Sequence, residues 1–202
     1  MELFPAVRCN LFFRPLPFKK KDFRCHRGYE SLQKQYFCPK IEPMENFEIR
    51  RATETAVPVI LNLIEQLAAY EKLAADVIAT EDSLRESIFV QKFAEVLIAE
   101  ENTRPVGFAL FFHNYSTFLA KPGIYLEDLF VEPEFRGKGY GKKLLVELAK
   151  IAKERNCGRM EWSVLDWNTP SIDFYRSLGA EPMDEWTVFR LTEDKIGALS
   201  QG

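Results

Sequence analysis

Residues 124 to 142 read Ile124-Tyr125-Leu126-Glu127-Asp128-Leu129-Phe130-Val131-Glu132-Pro133-Glu134-Phe135-Arg136-Gly137-Lys138-Gly139-Tyr140-Gly141-Lys142. The first half, 124–131, predicts an apolar strand with two carboxylates in its middle, and Pro133, which cannot donate to a ladder, ends it. The second half carries glycine at alternate positions, Gly137, Gly139 and Gly141. Leu144, Leu145, Leu148, Ile151 and Ala152 follow at helical spacing and predict a helix from about Gly139 to Asn156. Strand, glycine-rich turn and helix make an anion site, because glycine lets the backbone approach a phosphate and the first N–H groups of the helix are unpaired. A glycine-rich turn without a ligand is the structural alternative.

Two common glycine codes do not fit. A P-loop needs four residues between its first Gly and a Gly-Lys-Ser/Thr, and a dinucleotide fingerprint needs Gly-x-Gly-x-x-Gly. Here Arg136 leads Gly-x-Gly-x-Gly. This Arg-x-x-Gly-x-Gly pattern resembles the acyl-CoA pyrophosphate loop of the GNAT N-acetyltransferases. The later stretch Asn168-Thr169-Pro170-Ser171-Ile172-Asp173-Phe174-Tyr175-Arg176-Ser177-Leu178-Gly179-Ala180 resembles the second half of the same fold. Tyr125-Leu126-Glu127-Asp128, with Ala68-Ala69-Tyr70-Glu71 further upstream, is similar to the diamine (spermidine/spermine) branch. The resemblance runs from about Phe47 to Leu191.

The chain has 202 residues, enough for one domain with a sizeable core, and no apolar stretch approaches the ~20 residues of a membrane span. Charge is uneven. Residues 1–43 hold nine Lys/Arg and four Asp/Glu, net +5; residues 44–202 hold 18 basic and 26 acidic side chains, net −8. An acidic body argues against nucleic acid and suits a cationic substrate. Cys9, Cys25, Cys38 and Cys157 show neither CxxC spacing nor a His pair, which argues against zinc and against a disulfide framework and points to a reducing, cytoplasmic setting.

Residues 1–43 are rich in Phe and Pro and show no helical or strand period. They lack the apolar core of a signal peptide. An organelle transit peptide remains open, although Ser31 is their only serine. A start at Met44, with the upstream stretch arising from a wrongly chosen start codon, is equally open. The reading is a poorly ordered appendage at 1–43 and one catalytic domain at 44–202.

Along that domain, Phe47 to Arg51 alternates as a strand. Thr53 and Pro58 open a helix ending near Tyr70. Thr80 caps a second helix carrying Leu84 and Ile88, and Phe93–Ala99 with Val106–His113 makes a hairpin. Arg159 to Leu165 predicts a strand, Asn168 caps a helix with Gly179 just past its end, Thr187 to Leu191 predicts a last strand, and a short helix follows Glu193. The expected class is α/β with the GNAT fold: a mixed, mostly antiparallel central sheet with helices on both faces.

The reaction this resemblance implies is direct transfer of acetyl from acetyl-CoA to a primary amine in a ternary complex, with no metal. The pyrophosphate would sit on Gly137, Lys138, Gly139, Tyr140, Gly141 and Lys142, with charge from Arg136 and Lys138. Leu129, Phe130 and Val131 would pair with the pantetheine amides, and the N–H of Leu129 would steady the oxyanion. Glu127 is the expected general base; alternation sends Asp128 to the opposite face, in a structural role. The resemblance makes Tyr175 the acid that protonates the departing thiolate and a cofactor contact, with Asn168 and Ser171 beside it. It assigns Tyr70 and Glu71 to the amine, joined by Glu127, Glu161, Trp162 and Ser163. Trp167 stacks on a cationic chain or serves the core. Family members are usually homodimers. The alternatives are a protein N-terminal or lysine acetyltransferase of the same fold, and an acyl-CoA sensor without turnover.

Overall fold

The computed structural model describes residues 46 to 202, all within one unit, Pro43–Gly202. The expectations for residues 1–43 lie outside the described residues.

Five strands follow one another across the sheet in chain order. β1 (Phe47–Arg51), β2 (Glu95–Glu101), β3 (Arg104–Ser116) and β4 (Lys121–Val131) are each antiparallel to the next. β5 (Met160–Trp162) joins β4 in parallel. A parallel neighbour needs a crossover, and α3 (Tyr140–Glu154) supplies it. The other helices are α1 (Val57–Glu71), α2 (Glu81–Leu84, continued to Val90 as a π-helix), α4 (Thr169–Ser177) and α5 (Glu193–Leu199).

The period of two along β2 builds two cores. Val96 and Ile98 point to one face, with Ile60 and Leu63 of α1 and Leu84 of α2. Leu97 and Ala99 point to the other, against Leu144, Leu148 and Ile151 of α3. The mixed sheet flanked by helices on both faces is therefore the observed architecture. Thr80 and Ser83 close a reciprocal capping box at the start of α2, as the expected Thr80 cap requires. Thr53 differs: it precedes a short 3₁₀ turn, Glu54–Ala56, and its hydroxyl bonds Thr55 rather than a helix N–H.

Two expected strands change. β5 is three residues long, not seven. Residues 187–191 form no strand, and every residue from 181 to 202 is exposed. Alternation shows that a segment can pair; a ladder also needs an edge within reach, and this segment lies away from its own sheet.

Candidate active site

β4 and β5 pair only from Ile124 to Leu126, opposite Met160 to Trp162. Beyond Leu126 the strands part, and a cleft of about 510 Å³ occupies the gap. One side of Leu129–Val131 remains paired with β3, at Ala109, Phe108 and Gly107. Glu132 N–H donates to Val106 O at 2.9 Å. In an antiparallel ladder such pairs alternate, so Phe130 also turns its backbone to β3, while the backbone groups of Leu129 and Val131 face the cleft. Of the three residues expected to read an amide chain, two present free-edge groups. Phe130 instead places its side chain in the α1 core and only touches the cleft wall. The Val131 carbonyl already accepts Arg136 Nε at 2.9 Å.

The glycine loop closes one end of the cleft. Gly137 and Gly139 have φ of 80° and 81°, a left-handed backbone that L side chains resist. Gly139 is the N-cap of α3, so the first turn of the helix, Tyr140 to Lys142, stands at this end of the cleft. A Cβ on Gly141 would meet nothing within 4 Å, so the space before that helix terminus is clear. Gly137, Gly139, Tyr140, Gly141, Lys142 and Arg136 all line the cleft. Lys138 does not. Its ammonium bonds the Glu101 carboxylate at 2.7 Å, and Tyr140 Oη donates to the same oxygen. The Glu101 carboxylate at the end of β2 thus holds the Lys138 ammonium away from the cleft lining.

The other end is acidic. Glu71, at the C-terminus of α1, lines the cleft with Glu127 and Asp128. The strand alternation expected to separate the last two is broken by a bulge: Asp128 stands opposite Leu110 and Leu126 opposite Phe111, leaving Glu127 as the extra residue. Both carboxylates therefore reach the same space. Burial, then the charges of Glu127 and Glu71, push the Asp128 carboxyl up to about 6, and burial raises Glu71 too. Asp128 is the site group that alternation misassigned to a structural role; nothing in the local sequence marks the inserted residue.

α4 and the turn before it form the facing wall. Asn168 is buried, and its side chain accepts from Ser171 N–H at 3.4 Å. With Pro170 in the first turn and Gly179 left-handed past the end, α4 is bounded as its sequence predicts. Asn168, Ser171, Phe174 and Tyr175 line the cleft. The Tyr175 ring packs on Trp162 with centroids 5.1 Å apart. Burial, with the charge of Glu71 second, raises its phenol, so it is protonated at neutral pH.

The expected amine-side residues divide. Tyr70, Glu71 and Ser163 line the cleft, and Ser163 Oγ hydrogen-bonds Tyr125 Oη at 2.9 Å. Glu161 and Trp162 lie off it. Glu161 is held by Arg159 at 2.8 Å and Asn114 at 2.6 Å, and Trp162 supports Tyr175 from behind. Trp167 is half-exposed and meets the Tyr70 ring at 5.9 Å, at the cleft mouth rather than in the core.

Residues 61–180 match the model of the acetyltransferase (GNAT) family. The chain belongs to that family. It is 34% identical to the L-ornithine N5-acetyltransferase of Arabidopsis thaliana over 76% of this chain and 87% of that protein. It is 37% identical to the thialysine N-epsilon-acetyltransferase of Bos taurus, over 75% and 96% of the two chains. Among solved structures, an integron cassette protein from the mobile metagenome of V. cholerae superposes with a TM-score of 0.67 at 27% identity, covering 77% of this chain and 98% of that one. This GNAT chain is thus an acetyl-CoA-dependent N-acetyltransferase. Among its described residues, no helix is long and apolar enough to cross a membrane.

Proposed function

We propose that this acetyltransferase acetylates a primary amine of a small, multiply cationic substrate: a polyamine, a diamine or a diamino acid. The observation that carries this reading is the polarity of the cleft. Glycine-loop N–H groups, Arg136 and Lys142 stand at one end, and Glu71, Glu127 and Asp128 at the other. An anionic cofactor and a cationic amine each find the opposite sign, and they meet at Leu129.

The residues present suit acetyl-CoA. Tyr140, Gly141 and Lys142 offer N–H groups to its pyrophosphate, with Arg136 and Lys142 adding charge. Leu129 and Val131 offer cleft-facing backbone groups to the pantetheine amides. Acetyl-CoA supplies an activated thioester carbonyl; the rest falls to this chain. The amine arrives protonated, with a pKa near 10, and must lose a proton before it attacks. Asp128 and Glu127 accept it, directly or through a water; Asp128, held at about 6, is mostly ionised at neutral pH and more basic than an ordinary carboxylate, which suits a base working there. Leu129 N–H faces the oxygen on which negative charge grows, a role for which one donor is worth ~3 kcal/mol. Tyr175, protonated and buried, gives its proton to the sulfur as the C–S bond breaks. Tyr70, Glu71 and Ser163 contact the rest of the amine.

The test is thiol release from acetyl-CoA with putrescine, spermidine, spermine, ornithine, thialysine and a basic peptide. Turnover with one or more of the small amines, and little with the peptide, is expected. Preference for the peptide would replace this reading with a protein acetyltransferase. Acetyl-CoA binding with no turnover on any amine would replace it with a sensor.

A further inference from the structure

The turn between β2 and β3 is two residues long. Asn102 and Thr103 both have positive φ, 51° and 68°, and Glu101 faces Arg104 across the ladder. The turn is tied to the residue before β1: Asn102 N–H donates to Asn46 O at 2.8 Å, and Asn102 Oδ1 accepts from Asn46 N–H at 3.2 Å. The two facing side chains grip the run between β4 and α3. Arg104 bonds the carboxylates of Glu132 at 2.7 Å and Glu134 at 2.9 Å, and lies over the Phe135 ring, 4.8 Å from its centroid. Glu101, its side chain 10% exposed, accepts from Lys138 Nζ at 2.7 Å and from Tyr140 Oη, both on Oε1. The Tyr140 ring is also stacked on Phe47, with centroids 4.0 Å apart. Gly137 and Gly139 flank Lys138 with left-handed backbones, and an added Cβ at either would meet nothing within 4 Å. These glycines give the loop its shape without packing it down; one oxygen of Glu101 fastens the residue between them and the residue after them.

By charge alone, Glu101 cancels Lys138 beside an anion site and so weakens that site. Geometry gives it a use. A glycine-rich loop has much conformational freedom to lose when it closes on a ligand, and fastening it beforehand removes part of that loss. We propose that Glu101 is a positioning residue for the acyl donor: by accepting from Lys138 and Tyr140 it holds the glycine loop and the first residue of α3 in the shape that receives the pyrophosphate. The proposal rests on the reading of this loop as the acetyl-CoA site.

Charge and shape predict opposite signs. If Glu101 acted by charge, Glu101→Ala would release Lys138 and tighten CoA. Acting by shape, Glu101→Ala is expected to raise the CoA Kd by calorimetry and the acetyl-CoA KM about 10-fold. The amine KM, and kcat at saturating acetyl-CoA, should stay within about 2-fold. Glu101→Gln keeps an oxygen for both donors and is expected to restore most of the affinity. A CoA Kd that is unchanged or lower in Glu101→Ala overturns the proposal, whatever happens to thermal stability. So does a rise in both KM values with loss of kcat, which marks general loosening, or a glutamine variant no better than alanine. Where Glu101→Ala does not fold, Tyr140→Phe decides: it drops one of the two bonds and keeps the stack on Phe47, so a rise of about 3-fold in the CoA Kd is expected and an unchanged value overturns the proposal. Gly141→Ala measured alongside separates the two levels. If it weakens CoA while Glu101→Ala does not, the loop remains the cofactor site and only the role of Glu101 is overturned; if neither variant weakens CoA, both fall.

Discussion

The guanidinium of Arg136 lies over the ring of Tyr70, 4.3 Å from its centroid. Arg136 precedes the glycine loop and Tyr70 is in the last turn of α1 beside Glu71, so the stack ties the glycine-loop end of the cleft to its acidic end. Its strength is of order 0.5–2 kcal/mol. Tyr70→Leu is therefore expected to raise the KM for acetyl-CoA about 2- to 30-fold, in addition to weakening the amine, whereas Tyr70→Phe keeps the stack and the cofactor KM. Initial-rate kinetics with each substrate varied would check it; an unchanged acetyl-CoA KM in Tyr70→Leu would show that the two ends are independent.

Asp128 makes a prediction that needs no activity. Its folded-state pKa is raised from 3.8 to about 6, so the carboxyl favours folding below pH 4 and that contribution is lost as pH rises through 6. Asp128→Asn should therefore stabilise the protein at pH 8 by of order 1–3 kcal/mol relative to its effect at pH 4. Thermal melts of both proteins at the two pH values measure the difference. Equal shifts at both would mean that Asp128 is not buried among the charges described.

The same residue separates two candidate bases. With Asp128 as the proton acceptor, kcat/KM falls on the acid side with an apparent pKa near 6. Asp128→Asn should then remove that limb and roughly 10²–10⁴-fold of the rate. If Glu127→Gln removes the limb and Asp128→Asn leaves it, the role belongs to Glu127.

Gly141 offers a cleaner test of the cofactor site than a charged residue. Alanine there meets nothing and replaces glycine within a helix, so the fold should hold or gain up to about 1 kcal/mol. The new methyl group stands in the space before the α3 terminus. A rise in the KM for acetyl-CoA without loss of thermal stability is expected. An unaffected KM would move the pyrophosphate elsewhere.

Tyr175→Phe removes only the hydroxyl and keeps the ring contact with Trp162. Turnover should drop sharply while acetyl-CoA binding by calorimetry stays near the native value. Unchanged turnover would take away the acid role.

The loop, α3 and α4 were legible because each is punctuated locally: alternate glycines before a 3.6-residue period, and Asn168 with Pro170 ahead of Gly179. The positions of Arg136, Gly141, Asn168 and Tyr175 follow from those signals. The bulge at Glu127 was not legible. It is one extra residue in an apolar strand, and only the register against β3 reveals it. Lys138 was misplaced because its partner, Glu101, is 37 residues away in sequence. Residues 187–191 carry the pattern of a strand, but a pattern says nothing about whether an edge lies within reach.

The parting of β4 from β5 also divides how the enzyme can change. On the loop side, the proposed cofactor contacts are largely main-chain groups, which most substitutions leave in place; Gly137 and Gly139 are constrained there by their backbone angle. On the acidic side the cleft is lined by the side chains of Glu71, Glu127, Asp128, Tyr70 and Ser163, so under the proposed function amine recognition rests on groups each replaceable alone. A lineage can drift from one amine to another by single substitutions on that wall while its acyl donor stays the same.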